Sequence, residues 1–439
     1  MSTSTVRSLP TLFLWQILSF AAGFLTQAIL ARSLGPYDKG ILDLFLLIPV
    51  VLASITELGL LSANTYFAGK GTIDFSALHT NSLVWSLGIG AIALAIGVLL
   101  VSISASPFES LTGSYFLLSL LILFPSLYFS LWSGLMYGRG QAGTVYFITA
   151  TFSVISLATY GVALLCGASL NAIVQLSALL LFVRTALALY ALRGKVSPNL
   201  HFDSSALKKC LQYGIALWVG LAINTLHFRV SQFLVSSMLG SAELAFYALA
   251  ARIAEMAWLL DFVIINATVF RVTSSIREES VRITQRMTRV IGMMSLGASL
   301  LIGATSPFVI PLVFGEAFSP AIVPLLLLIP GIIGWSLARS LSQFIAYQIG
   351  KPWYNTGAAT VAFVFNIILN LLLLPLLGTP GASIAASLSY AGNLVLISLI
   401  FKRLSAARLQ PSFVPTKDDL LLLRDIVVQY FPRRATDQG

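Results

Sequence analysis

The sequence predicts an all-α, polytopic membrane protein of twelve transmembrane helices, on three observations. Charged residues are only 10% of the 439, against 57% hydrophobic ones, whereas a soluble domain carries roughly 25% charge. So few charges cannot solvate the surface of a water-soluble protein of this length. Uncharged runs long enough to cross a bilayer, about 20 residues each, recur along the whole chain. The Lys and Arg residues between these runs fall overwhelmingly in alternate loops, and so on one side of the membrane.

The first span, residues 12–31, lies between Arg7 and Arg32. It is longer than the ~7–15-residue apolar core of a signal peptide and is read as a retained helix. The second, residues 41–67, is interrupted by Pro49 and Glu57. The third covers residues 81–105 and the fourth 115–137. Residues 140–183 hold no charge and must fold back once, at Cys166-Gly167-Ala168-Ser169, giving spans five and six. Spans seven to ten cover residues 211–239, 243–270, 290–314 and 321–349. Residues 352–401 form a second uncharged hairpin, turning at Gly378-Thr379-Pro380-Gly381 with Thr379 as the expected N-cap and Pro380 at the first helical position.

The termini and even-numbered loops of this layout hold twenty of the 26 Lys and Arg, and the odd loops only Arg32 and Lys39. Both termini are therefore expected in the cytoplasm. The net charge of +10 is then a topology signal and not a nucleic-acid surface. The two cysteines, Cys166 and Cys210, fall on opposite sides and cannot pair, and no C-x-x-C or other metal-type spacing occurs.

Two soluble pieces remain. Val272, Ile276, Ile283, Met287 and Val290 recur at near-helical spacing among arginines. They suit either an interfacial helix on anionic headgroups or an extension of span eight. In the tail, Thr416 stands three residues before Asp419 in a capping-box-like start. Leu420, Leu423, Val427 and Tyr430 then form one face of an expected short amphipathic helix.

Three matches recur at nearly one offset. Leu34-Gly35-x-x-Asp38 pairs with Leu239-Gly240-x-x-Glu243, Tyr137-x-x-Gly140 with Tyr347-x-x-Gly350, and Gly167 with Gly378. They suggest two like-oriented six-helix lobes, residues 1–193 and 211–401. A cytoplasmic linker at 194–210 joins them, and 402–439 is a cytoplasmic tail.

Within the spans sit four arginines, Arg184, Arg229, Arg252 and Arg339, and four acids, Asp43, Glu57, Glu255 and Asp261. Such residues cost about 2.5–3.5 kcal/mol at mid-bilayer and usually face protein or a wet cavity. Guanidinium binds phosphate bidentately and keeps its charge, so the arginines are the candidates for an anionic headgroup. Structural ion pairing is the competing role, most plainly for Arg252 and Glu255, three apart on one helix; Arg184 has the option of snorkelling to the interface. The acids are the candidates for proton or cation coupling, because desolvation makes a buried carboxyl switchable. His227 is a further titratable group, and Asn366 and Asn370 share one face of span eleven, suited to interhelical hydrogen bonds. No P-loop, G-x-S-x-G or H-E-x-x-H motif occurs, so neither a catalytic site nor a cofactor or metal is indicated, and uphill transport would draw on an ion gradient.

The stretches ARSLGPYDKGILDLFLLIPVVLASITELGL, RVSQFLVSSMLGSAELAFYALAARIAEM and IAYQIGKPWYNTGAATVAFVFNIILNLLLLPLLGTPGASIAASLSY resemble the O-antigen and exopolysaccharide (Wzx-like) unit flippases. These belong to the multidrug, oligosaccharidyl-lipid and polysaccharide exporter superfamily. The resemblance implies a MATE-like, V-shaped, two-lobed transporter in a bacterial cytoplasmic membrane that flips undecaprenyl-pyrophosphate-linked sugar units by alternating access. It also implies proton or sodium coupling, a polysaccharide polymerase as partner, and cavity arginines that meet the pyrophosphate, with Arg229 and Arg252 as the leading positions. The lipid II branch usually has two more helices. A multidrug exporter of the same fold is disfavoured by the net positive second half. A membrane glycan polymerase or ligase, an enzyme, would need larger outer loops than those carrying Asp38, Glu109, Glu243 and Glu316.

Overall fold

The computed structural model of the chain describes residues 3–103, 111–194, 196, 201–258, 261, 264, 265, 268, 272–405, 413, 416 and 419. Among them there are helices and no strand. The helices are α1 (Thr3–Thr56), α2 (Leu60–Lys70), α3 (Phe75–Ser102), α4 (Gly113–Leu121), α5 (Leu123–Gly138), α6 (Ala142–Leu165), α7 (Leu170–Tyr190), α8 (Ser204–Leu239), α9 (Ser241–Glu255), α10 (Arg277–Phe314), α11 (Ile322–Gln343), α12 (Trp353–Leu377) and α13 (Thr379–Leu404). A 3-10 helix at Glu316–Ala321 precedes α11, and a π-turn at Phe344–Gln348 follows it. The chain is a multi-pass membrane protein. Ten candidate spans among the described residues are long and apolar enough to cross a bilayer. The first holds two expected spans, because Gly35 interrupts α1 with φ 71 and ψ 174.

The expected turns are where Gly and Pro place them. Gly167, with φ 76, turns α6 into α7. Gly378, with φ 64, joins α12 to α13 and is itself the N-cap of α13. The expectation of Thr379 as N-cap is thus off by one residue; a residue without Cβ adopts the required backbone more readily than threonine. All six glycines in the three sequence matches have positive φ: 71 and 92 at Gly35 and Gly240, 71 and 72 at Gly140 and Gly350, 76 and 64 at Gly167 and Gly378.

The basic segment after span eight corrects its sequence reading. Arg277–Phe314 is one continuous helix, so from Arg277 onward the segment extends span nine and is not a separate interfacial helix, while Val272 and Ile276 precede that helix. Glu278 and Glu279 favour the start of this helix by sitting in its positive first turn, and no Gly or Pro breaks it before Gly292. Val281, Met287 and Val290 are buried; Met287 and Val290 pack with Ile264 and Ile265 and not on headgroups. The proposed tail face from Leu420 to Tyr430 lies outside the described residues, as does most of span eight beyond Trp258.

The chain divides into two compact units: Met1–Phe246 with Val309–Ser319, and Tyr247–Phe308 with Pro320–Gly439. In the first, α1 packs on α6, α2 and α3 pack on α5, and α8 lies against α2. Trp132, Tyr128, Leu127 and Leu131 of α5 are among its fully buried side chains. Within this unit Arg32 donates to the carbonyls of Val313 (3.0 Å) and Leu312, a cation at the negative end of α10. In the second unit α13 packs against both α11 and α12.

Candidate functional site

The first unit's site is built on a broken span. α1 ends at Thr56 and α2 begins at Leu60, so the second span is unwound at Glu57, Leu58 and Gly59. Leu58 has φ 46 and Gly59 φ 76; a non-glycine residue held there stores of order 1–3 kcal/mol of strain, which marks functional segments. Pro49 leaves α1 unbroken. A helix end inside a bilayer exposes carbonyls with no water to satisfy them. Two indoles supply donors: Trp85 Nε1 to Thr56 O and Trp218 Nε1 to Ser54 O, both at 2.9 Å. Glu57 stands at the break, its carboxylate accepting from the Ser130 hydroxyl at 3.1 Å.

Ser130 belongs to α5, and its neighbour Phe129 carries the second part of the site. The Arg184 guanidinium of α7 lies 4.2 Å from the Phe129 ring centroid and 5.1 Å from that of Phe152 on α6. Arg184 therefore turns into the helix bundle, and does not snorkel to the interface. Its Nε is buried with no hydrogen-bond partner, and no carboxylate pairs with it, among the described residues. Ring faces attract a desolvated cation by about 2 kcal/mol, which offsets part of the insertion penalty and leaves the Nε donor unused. A buried, unneutralised guanidinium held by rings is a group ready to receive an oxyanion.

Asp43 is engaged differently. Lys39, four residues earlier and buried, contacts its carboxylate at 2.5 Å, and Asp43 is itself mostly enclosed. This structural pair was legible as an i, i+4 spacing, but Lys39 was assigned to a loop. Arg229 is half-buried on α8 and engaged with neighbours.

The second unit brings Asp261 and Arg339 together. Asp261 is fully buried, with Ser336 and Arg339 of α11 as its polar neighbours, although neither carboxylate oxygen has a hydrogen bond of ordinary geometry among the described residues. Ser336 accepts from Ser295 of α10 at 3.1 Å. The Trp335 and Tyr390 rings meet at a tilt nearby, centroids 5.2 Å apart, and Trp258 donates to Ile332 O at 3.3 Å. Arg252 is exposed in the last turn of α9, and Glu255 is half-buried and engaged. Asn370 donates to the Asn366 carbonyl along its own helix at 2.9 Å, and both are fully buried. His227 is buried. No cluster of three or more metal-ligating side chains occurs among the described residues.

The sequence reading missed Ser130, Phe129, Phe152 and the two tryptophans. Only the tryptophans carried a signal, since an indole N–H inside a bilayer needs an acceptor.

A family model described as "Polysaccharide biosynthesis protein" matches residues 29–323. The lipopolysaccharide biosynthesis protein WzxC of Escherichia coli (strain K12) is 26% identical over 221 residues, 50% of this chain and 43% of that protein. The match thus spans less than half the length of that curated relative. Among solved structures, the lipid II flippase MurJ in its inward closed conformation aligns with TM-score 0.71 at 14% identity, over 97% of this chain and 94% of that one. The inward-facing conformation of a multidrug resistance MATE family transporter of the MOP superfamily aligns with TM-score 0.66 at 16% identity, over 90% and 95%. At such identities the two structures establish a shared fold.

Proposed function

We propose, from the premise that this chain belongs to the polysaccharide biosynthesis protein family, that it is a flippase for lipid-linked oligosaccharides in surface polysaccharide synthesis. It carries undecaprenyl-pyrophosphate-linked repeat units across the bacterial cytoplasmic membrane by alternating access, with both termini in the cytoplasm. The observation that carries this reading is Arg184, a cation turned into the bundle between Phe129 and Phe152 with no carboxylate paired to it among the described residues. The cargo's difficult part is its pyrophosphate, whose passage through apolar surroundings is costly unless charged donors replace water. A guanidinium fork supplies parallel charge-assisted hydrogen bonds to phosphate oxygens. Arg229, Arg252 and Arg339 are the further candidates for contact with the headgroup.

Coupling falls to Glu57 and Asp261. Glu57 sits at an unwound span, the element that transporters use for ion and substrate sites, and Asp261 is buried beside Arg339. Asp43 is neutralised by Lys39 and is a structural acid in this account. Deleting the gene tests the proposal: lipid-linked repeat units are expected to accumulate on the cytoplasmic leaflet while surface glycan is lost. Normal surface glycan without a stranded precursor overturns it.

A further inference from the structure

One polar cluster plays no part in the transport reading. Arg282, Arg286 and Arg289 form a stripe at i, i+4 and i+7 near the start of α10. The tail returns to this stripe. Arg277 donates to the Leu404 carbonyl at the end of α13, which ties the beginning of the tail to the base of α10. Farther along, Asp419 is fully buried and its carboxylate meets Arg286 and Arg289 of the stripe. Arg289 grips it with two nitrogens, at 2.6 and 3.1 Å, and Arg286 Nε lies 3.6 Å away. The Thr416 backbone N–H and hydroxyl add donors at 2.8 and 2.6 Å.

Two guanidiniums on adjacent turns, one gripping bidentately, are the donor set of a phosphate site. Here both guanidiniums reach the Asp419 carboxylate of the same chain. A phosphate group offers more oxygens and more charge than a carboxylate, so it is the better partner for the same donors. Arg286 is 42% exposed in its side chain, whereas Arg289 is 15% exposed, so an incoming anion meets Arg286 first. Hydrogen bonding by Arg289 and Thr416 outweighs the upward push of burial and holds the Asp419 carboxyl at a pKa of about 2. The tethered competitor is therefore anionic at every physiological pH.

We propose that Arg286 and Arg289 form a binding site for the phosphate of a lipid headgroup, and that Asp419 is its built-in competitor, displaced when the lipid arrives. The site shares no residue with the Arg184 site, and its existence does not depend on the flippase reading. If that reading holds, this is where the lipid diphosphate first docks.

The test is equilibrium binding to the purified full-length protein, with geranylgeranyl diphosphate and inorganic pyrophosphate as probes. Asp419→Asn removes the competitor, and coupling of this kind is typically 5–150-fold; the expected gain in affinity for the lipid diphosphate is about tenfold. Arg286→Gln with Arg289→Gln, in the Asp419→Asn background, should abolish the gain. Thr416→Ala weakens the tail contact without touching a charge and should give a smaller gain in the same direction, which guards against misfolding of the first variant. Unchanged affinity in both Asp419→Asn and Thr416→Ala overturns the proposal. An equal gain for inorganic pyrophosphate overturns its assignment to a lipid. Loss of these effects alongside intact glycan export would remove this site and leave the flippase reading standing.

Discussion

Gly59 and Gly214 meet backbone to backbone: a Cβ on Gly59 would lie 2.1 Å from the Gly214 carbonyl oxygen, and one on Gly214 2.6 Å from the Gly59 carbonyl oxygen. Gly59 also has φ 76, where a side chain costs roughly 1–2 kcal/mol before any clash. The unwound turn that carries Glu57 is therefore locked against α8 by the absence of two side chains. Gly59→Ala is expected to lower the thermal midpoint of the detergent-solubilised protein and abolish export. Gly214→Ala, at a helical position, should do so less severely. Wild-type melting of both variants would show that the close approach is not maintained.

The two indoles make a second, separable prediction. Trp85→Phe or Trp218→Phe keeps a ring but leaves a main-chain carbonyl of α1 without its donor, and an unsatisfied buried group costs about 1–3 kcal/mol. Each variant should melt lower than wild type, and the double variant lower still. Thermal unfolding followed by size-exclusion chromatography measures this; no change in either single variant contradicts the assignment.

Glu57 is predicted to act through its charge. Glu57→Gln retains a partner for Ser130 and should fold normally while losing gradient-driven transport. Ser130→Ala should reduce transport modestly. Transport by Glu57→Gln that still responds to a proton or sodium gradient would remove Glu57 from the coupling role.

The tail contact has a defined pH dependence. An unperturbed aspartate titrates near 3.9, and Asp419 in the folded protein near 2. A depressed folded-state value contributes stability that is fully present above the unfolded pKa and is lost as pH falls through the folded one. Protease access to the tail should therefore be unchanged from pH 8 to about pH 4 and rise only below it, while Asp419→Asn should expose the tail at neutral pH. Release centred between pH 5 and 7 would contradict the contact.

Much of the fold was legible because bilayer chemistry is coarse. Uncharged runs gave the spans, and Gly167 and Gly378 gave the hairpin turns, since each must adopt a positive φ that other residues resist. The site was legible only as a set of charges. That Arg184 turns inward follows from Phe129 and Phe152, which come from other helices and have no sequence relation to it. Lys39 hid its partnership with Asp43 because hydropathy placed it in a loop, although its i, i+4 spacing was visible. The continuity of α10 from Arg277 was hidden by its charges: an arginine-rich stretch reads as a loop in a hydropathy scan even where nothing breaks the helix.

The central claim is that Arg184 receives the phosphorylated headgroup during translocation. Its most direct test is leaflet-resolved transport of a lipid diphosphate oligosaccharide in proteoliposomes containing wild type, Arg184→Lys or Arg184→Ala. Truncating a charged group in a desolvated pair costs about 2 kcal/mol or more, so Arg184→Ala should require at least ~30-fold more substrate for half-maximal transport. Arg184→Lys, which keeps the charge but loses the fork, should fall between. Wild-type transport by Arg184→Ala, in protein that is folded and correctly inserted, would contradict the account.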